Sequence, residues 1–172
     1  MKANCILSKI KTPIMISACL LGMRCRYDGE HSLCPALQDF IENVSFIPFC
    51  PEQLGGLSTP RPPSNITGGD GYDVISGKAV LINMQGQDVT YAFKKGAEDS
   101  LKLSRLARST ISIMKDRSPS CGIRTPYCDK LSGFGIGVTA ALFELNGIKT
   151  YELRSDDPFP TPDFLELLNE IN

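Results

Sequence analysis

Residues 110–122 read TISIMKDRSPSCG, and the parsing of this stretch decides the fold. Its apolar part, 110–115, is rich in β-branched residues and has the length of a buried strand rather than of a core helix. Ahead of it, Val89, Ala92, Phe93, Ala97, Leu101 and Leu103 recur at near-helical spacing over 89–108, interrupted only by Gly96. Behind it comes a Ser/Pro/Gly turn that carries a thiol, Cys121. A long helix feeding a short buried strand that ends in a polar loop is the pattern of an α/β sheet.

The segments on either side extend that pattern. PIMISA (13–18) and VSFIPF (44–49) read as further buried strands. Between them Leu33, Leu37, Phe40 and Ile41 follow Ser32, a suitable N-cap, with Pro35 in the first turn, which predicts a helix and a β-α-β unit. The Gly- and Pro-dense residues 55–72 predict a long loop. YDVISGKAVLINMQGQDVT (72–90) predicts two short strands around SGK, an edge hairpin. GVTAALFELNG predicts a helix stopped by Gly147, IKTYEL a strand, and TPDFLELLNEI a final helix opened by Thr161 and Pro162. The expected fold class is α/β, a Rossmann-like three-layer α/β/α arrangement with a mainly parallel sheet, in one domain over residues 1–172.

Composition narrows the function. With 42% hydrophobic residues, 22% charged residues and a net charge of -1, the chain offers no electrostatic reason to expect nucleic acid or an anionic membrane as partner. The start, MKANCILSKIKTP, lacks the apolar core of a signal peptide, so the expectation is a cytoplasmic protein without a membrane span. Seven cysteines, an odd number with no CxxC pair, argue against a disulfide framework, a zinc finger or a local ferredoxin-type run.

The placement of the thiols is more telling. Cys5 and Cys34 read as small core hydrophobes. Cys19, Cys50 and Cys121 each lie just beyond the carboxyl end of a predicted strand, in SACLLG, FCPEQLGG and SPSCG. Right-handed crossovers bring such ends to one edge of an open sheet, so these three can share a site. Packing is the competing reading for each of them. Cys25, in MRCRYDG with Arg24, Arg26 and Asp28, and Cys128 are further candidates, the arginines favouring a reactive thiolate at Cys25. Three thiolates suit zinc or an iron–sulfur cluster, and His31 could complete a Cys3His zinc site or simply be solvated. Glu52, two residues after Cys50, is a candidate general acid or base, and otherwise a surface carboxylate. Ser118 and Ser120 could donate to a substrate or stabilise their turn. No GxGxxG or Walker pattern supports a nucleotide cofactor.

Taken in order, ISACLLGMRCRYDG, CPEQLGGLSTPRPP, GYDVISGKAVLINMQGQDVT, FKKGAE, IMKDRSPSCG and GIGVTAALFELNGI resemble the 2-thiouracil desulfurase family over about residues 13–150. That resemblance implies a 4Fe-4S cluster held by three cysteines, Cys19, Cys50 and Cys121, with one open iron. It implies removal of sulfur from a thiolated uracil or related thio-base, releasing the oxo-base and sulfide, with Glu52 moving protons and Ser118 positioning the substrate. Two positions depart from the family's pattern: the chain has YCDKLSG where the family usually has YDG, and Asn65 where an acidic residue is common. The readings set against an enzyme are a non-catalytic cluster-, zinc- or sulfide-binding module and thiol redox chemistry at Cys25 with Cys128.

Overall fold

The computed structural model describes residues 13–42 and 44–171, with side chains through 166. The predicted core role of Cys5 lies outside these residues. Four strands, β1 (Ile14–Ser17), β2 (Phe46–Phe49), β5 (Ile111–Lys115) and β6 (Lys149–Leu153), form an all-parallel sheet in the order β2-β1-β5-β6. Strand β1 is central and buried along its whole length, which is why it opens with the apolar run IMI and closes on a buried Ser17.

Alternation along the strands sends the core to both faces of the sheet. Ile14, Ile16, Ile111 and Ile113 pack on one side with Phe40, Phe159 and Phe164, the last carried by α5 (Pro162–Ile171). Met15 and Met114 face the other side, against Leu101 of α3 (Thr90–Leu106) and Phe143 of α4 (Val138–Leu145). The three-layer α/β architecture expected from the sequence is the one observed. Among the described residues no helix is long and apolar enough to cross a membrane.

Two local expectations are corrected. No α-helix begins at Ser32: residues 32–34 run along the loop after β1, with Ser32 N bonded to Cys19 O and Cys34 N to Leu20 O. The Ser32 hydroxyl accepts from Arg26 at 2.8 Å instead of capping, and only a 3-10 turn, Pro35–Phe40, follows. The 72–90 hairpin is also absent. Asp70 accepts from Tyr72 N at 3.0 Å, and Asp73 Oδ2 accepts from Asp70 N at 3.1 Å. This capping box turns the β-branched YDVI into a short helix, α2 (Gly71–Ile75). The strand β4 (Val80–Asn83) pairs antiparallel with β3 (Ser64–Thr67), which lies inside the stretch read as loop. Ile66 and Leu81 face inward from this ribbon onto Phe93 and Ala97 of α3.

Gly96 interrupts the apolar face of α3 for a reason of space. A Cβ there would lie 1.9 Å from Pro51 O, and one on Gly55 would lie 2.0 Å from Ala92 O. The short helix α1 (Pro51–Leu54) is therefore seated directly on the α3 backbone, immediately after β2.

Candidate active site

The carboxyl ends of β2, β1 and β5 open onto a cavity of about 480 Å³. From β1 the chain steps to β2 on one side, and from β2 it crosses to β5 on the other, so the cavity sits at the topological switch point where open α/β sheets bind ligands. Cys19, Cys25, Cys50 and Cys121 all line it, and all are free thiols.

Three of the thiols are placed by local devices that can be named. Cys19 sits in the 3-10 turn Ala18–Leu21 directly after β1, closed by Gly22 at φ 91. Cys50 precedes α1, which the Gly55–Gly96 contact fixes on α3. Cys121 lies in a turn closed by Gly122 N to Ser118 O at 2.9 Å. A Cβ on Gly122 would approach Ser118 N and O to 2.8 Å, so the SPSCG turn needs its glycine. Ser120 anchors this turn: it is fully buried, its hydroxyl is 2.9 Å from Thr139 Oγ1, and its carbonyl accepts from Thr139 N and Ala140 N at the start of α4. Its side chain does not line the cavity.

The thiols perturb one another. Cys25 is pushed up to about 11, first by its hydrogen bond with Cys19, with burial adding to the shift. Cys50 is raised far above the ordinary thiol range by its hydrogen bond with Cys25 and then by burial. Burial lifts Cys121 to about 12, opposed by a hydrogen bond from the Ser17 hydroxyl. Four sulfurs on one cavity, three on buried cysteines and one on the half-buried Cys50, are stable as thiolates only with compensating positive charge among them, and loading such a group releases their protons. Cys19, Cys25 and Cys50 pack together and Cys121 lines the same cavity, a set of soft donors of the kind that holds zinc or an iron–sulfur cluster.

Polar groups complete the cavity wall. Glu52, in the first turn of α1, meets Arg61 Nε at 2.5 Å through Oε2, while Oε1 has no hydrogen-bond partner among the described residues. Ser118 Oγ accepts from Ser120 N at 3.1 Å and Cys121 N at 3.0 Å, so the hydroxyl hydrogen remains to donate. Tyr27, Tyr127 and Met84 are exposed at the rim, with Phe49 buried below, a set of surfaces suited to a flat ring. Asn65 on β3 also lines the rim.

Sequence reasoning missed Arg61 and Ser17. The available signal was weak, an arginine held between prolines in TPRPP; its burial, which obliges it to find a partner, is seen only in the structure. Nothing in ISAC marks Ser17 as a donor to a sulfur more than a hundred residues away. Other candidates lie apart from the thiols. Arg26 lines the cavity but spends its guanidinium on Ser32 and on Asp28, each at 2.8 Å, and Asp28 does not reach the cavity. His31 Nδ1 accepts from Leu33 N at 3.2 Å and is not part of the lining. Cys128 is half-buried against the β3–β4 core, its thiol donating to Thr125 O at 3.4 Å, and packs in a different cluster from Cys25. Cys34 is fully buried in the apolar core, the role expected of it.

Residues 14–154 match the model of the 2-thiouracil desulfurase family. An uncharacterised protein, YbbK, of Bacillus subtilis (strain 168) is 39% identical over 139 residues, covering 79% of this chain and 92% of that protein. A solved structure of TudS, a 4Fe-4S-dependent thiouracil desulfidase, superposes with a TM-score of 0.75 at 32% identity, covering 94% of this chain and all of the other.

Proposed function

The chain belongs to the 2-thiouracil desulfurase family, and from that membership we propose that it is an enzyme that hydrolyses the thiocarbonyl of a thiolated uracil or related thio-base to the oxo-base and sulfide, at a 4Fe-4S cluster held by Cys19, Cys50 and Cys121. The observation that carries this reading is the convergence of those thiols, from three distant loops, on one cavity that Glu52 also lines.

The cluster, when bound, supplies an iron without a protein ligand, a Lewis acid suited to a thiocarbonyl sulfur. The chain's own residues do the rest. Tyr27 and Tyr127 offer apolar faces to the pyrimidine, and the ring displaces water from the thiol side of the cavity. The Ser118 hydroxyl, whose acceptor positions are taken by two backbone N–H groups, donates to a ring oxygen or nitrogen and fixes its orientation. Glu52 Oε1 takes a proton from the water that attacks the thiolated carbon and returns it to the departing sulfide, so that thiobase and water become oxo-base and hydrogen sulfide with no net change of redox state.

Anaerobic reconstitution followed by iron and sulfide analysis and assay on 2- and 4-thiouracil tests the proposal. The expected result is a brown protein with four irons and four sulfides per chain that releases sulfide from at least one thiobase. A colourless protein with one zinc per chain, or a full cluster with no turnover of any thiobase, overturns it, the second result favouring a storage or sensing module.

A further inference from the structure

We propose that Arg61 is the positioning residue that holds the proton-transferring carboxylate in register with the cysteine site. This rests on the desulfurase reading of the same cavity. The Arg61 side chain is 5% exposed and Glu52 15%, so the pair is withdrawn from water. Nε holds Glu52 Oε2 at 2.5 Å, and Nη2 reaches Cys25 O at 3.0 Å. Nη1 lies 3.2 Å from both Ser58 O and Thr59 Oγ1, and the backbone N donates to Tyr27 O at 2.8 Å. One guanidinium thus joins the α1 loop, the 25–27 loop and its own loop.

The Cys25 carbonyl is shared, because the Cys50 thiol also donates to it at 3.6 Å. In the metal-free protein Glu52, through Arg61, and the Cys50 thiol are thus both tied to the Cys25 carbonyl; once Cys50 is a thiolate, the Arg61 link between Glu52 and that carbonyl is the one that remains. Engaging Oε2 matters as well: it fixes one oxygen of a carboxylate that lines the cavity and leaves the other unengaged. Lysine retains the charge but presents donors from a single point, so it cannot hold a carboxylate and a carbonyl in this fork.

The test is a double-mutant cycle on anaerobically reconstituted protein, comparing wild type, R61K, E52Q and R61K/E52Q by kcat, KM, iron and sulfide content and cluster absorption. The expected result for R61K is kcat lower by about 100-fold, the effect of a misplaced reacting group, with KM and iron content retained. In the E52Q background R61K then costs nothing further, because a residue acting through Glu52 has nothing left to position. Losses that multiply in the double variant, a loss confined to KM or to iron content, or an R61K enzyme with full kcat would each overturn the assignment. Should R61K not fold, R61Q goes through the same cycle. If wild type itself desulfurates no thiobase, the functional reading fails and the crystal structure of R61K decides this one: a Glu52 carboxylate that leaves its place supports it, and one that stays refutes it.

Discussion

At the scale of the residue, the distinction that matters is between the three thiols the family pattern nominates and Cys25, the further candidate that the fold brings to the same cavity. Cys25 is buried against Cys19 and within hydrogen-bonding reach of Cys50, yet it projects from the loop that follows β1, not from a strand end. If Cys19, Cys50 and Cys121 are the ligands, C25A keeps four irons per chain after reconstitution, while C19A, C50A or C121A lowers iron content and bleaches the visible absorption. Iron and sulfide analysis separates the two outcomes, and a C25A protein that binds no iron would reassign the ligand set. The three strand-end thiols were legible because a strand is a local pattern and its carboxyl end has a fixed meaning in a parallel sheet. Arg61 and Ser17 were not, since both act through partners set by tertiary contact: Arg61 through Glu52 and the Cys25 carbonyl, Ser17 through a sulfur on another strand's loop.

At the scale of the element, the site depends on how α1 and the β3–α2–β4 ribbon are seated. G96A places a methyl inside contact distance of the Pro51 carbonyl, and α1 has to lift away from α3, carrying Cys50 and Glu52 with it. Overpacking of this kind costs about 1–3 kcal/mol, or roughly 2–4 °C of Tm per kcal/mol at this chain length; a melt of the metal-free protein and its capacity to take up iron should fall together. In the ribbon, the Lys130 ammonium and the Asp70 N–H hold the Asp73 carboxyl below its usual range. A depressed folded-state pKa contributes stability above the unfolded value and loses it as the pH falls through the folded one. The D73N variant should therefore melt below wild type near neutrality, and the gap should close on acidification below the usual carboxylate range, as thermal melts across that interval will show. The ribbon was misread because YDVI is β-branched and PRPPSNIT is rich in breakers. The capping box at Asp70 and Asp73 and the pairing of Ile66 with Leu81 outweighed those local preferences.

At the scale of the whole molecule, the sheet order makes the site a device for joining distant parts of the chain. Strands β1, β2 and β5 are neighbours only because two crossovers return to the same sheet, and their carboxyl ends carry Cys19, Cys50 and Cys121. A group bound to all three binds the folded chain and finds no such site in the unfolded one, so its binding free energy adds to folding stability. In the metal-free cavity Cys25, Cys50 and Cys121 are all pushed up in pKa, so they stay protonated near neutrality and make no such contribution. The reconstituted protein is expected to melt several degrees above the metal-free form, on a scale of roughly 2–4 °C per kcal/mol of linkage. Removing the cluster with a chelator under reducing conditions should abolish the difference. The same comparison in C121A, where one of the three segments is no longer tied, should show little or no gain on reconstitution. A C34A protein, altered only in the apolar core on the opposite face of the sheet, should start lower and gain as much as wild type. Equal gains in C121A and wild type, measured by calorimetry at matched protein concentration, would mean that the group is held by other residues and that the switch-point cavity is not its site.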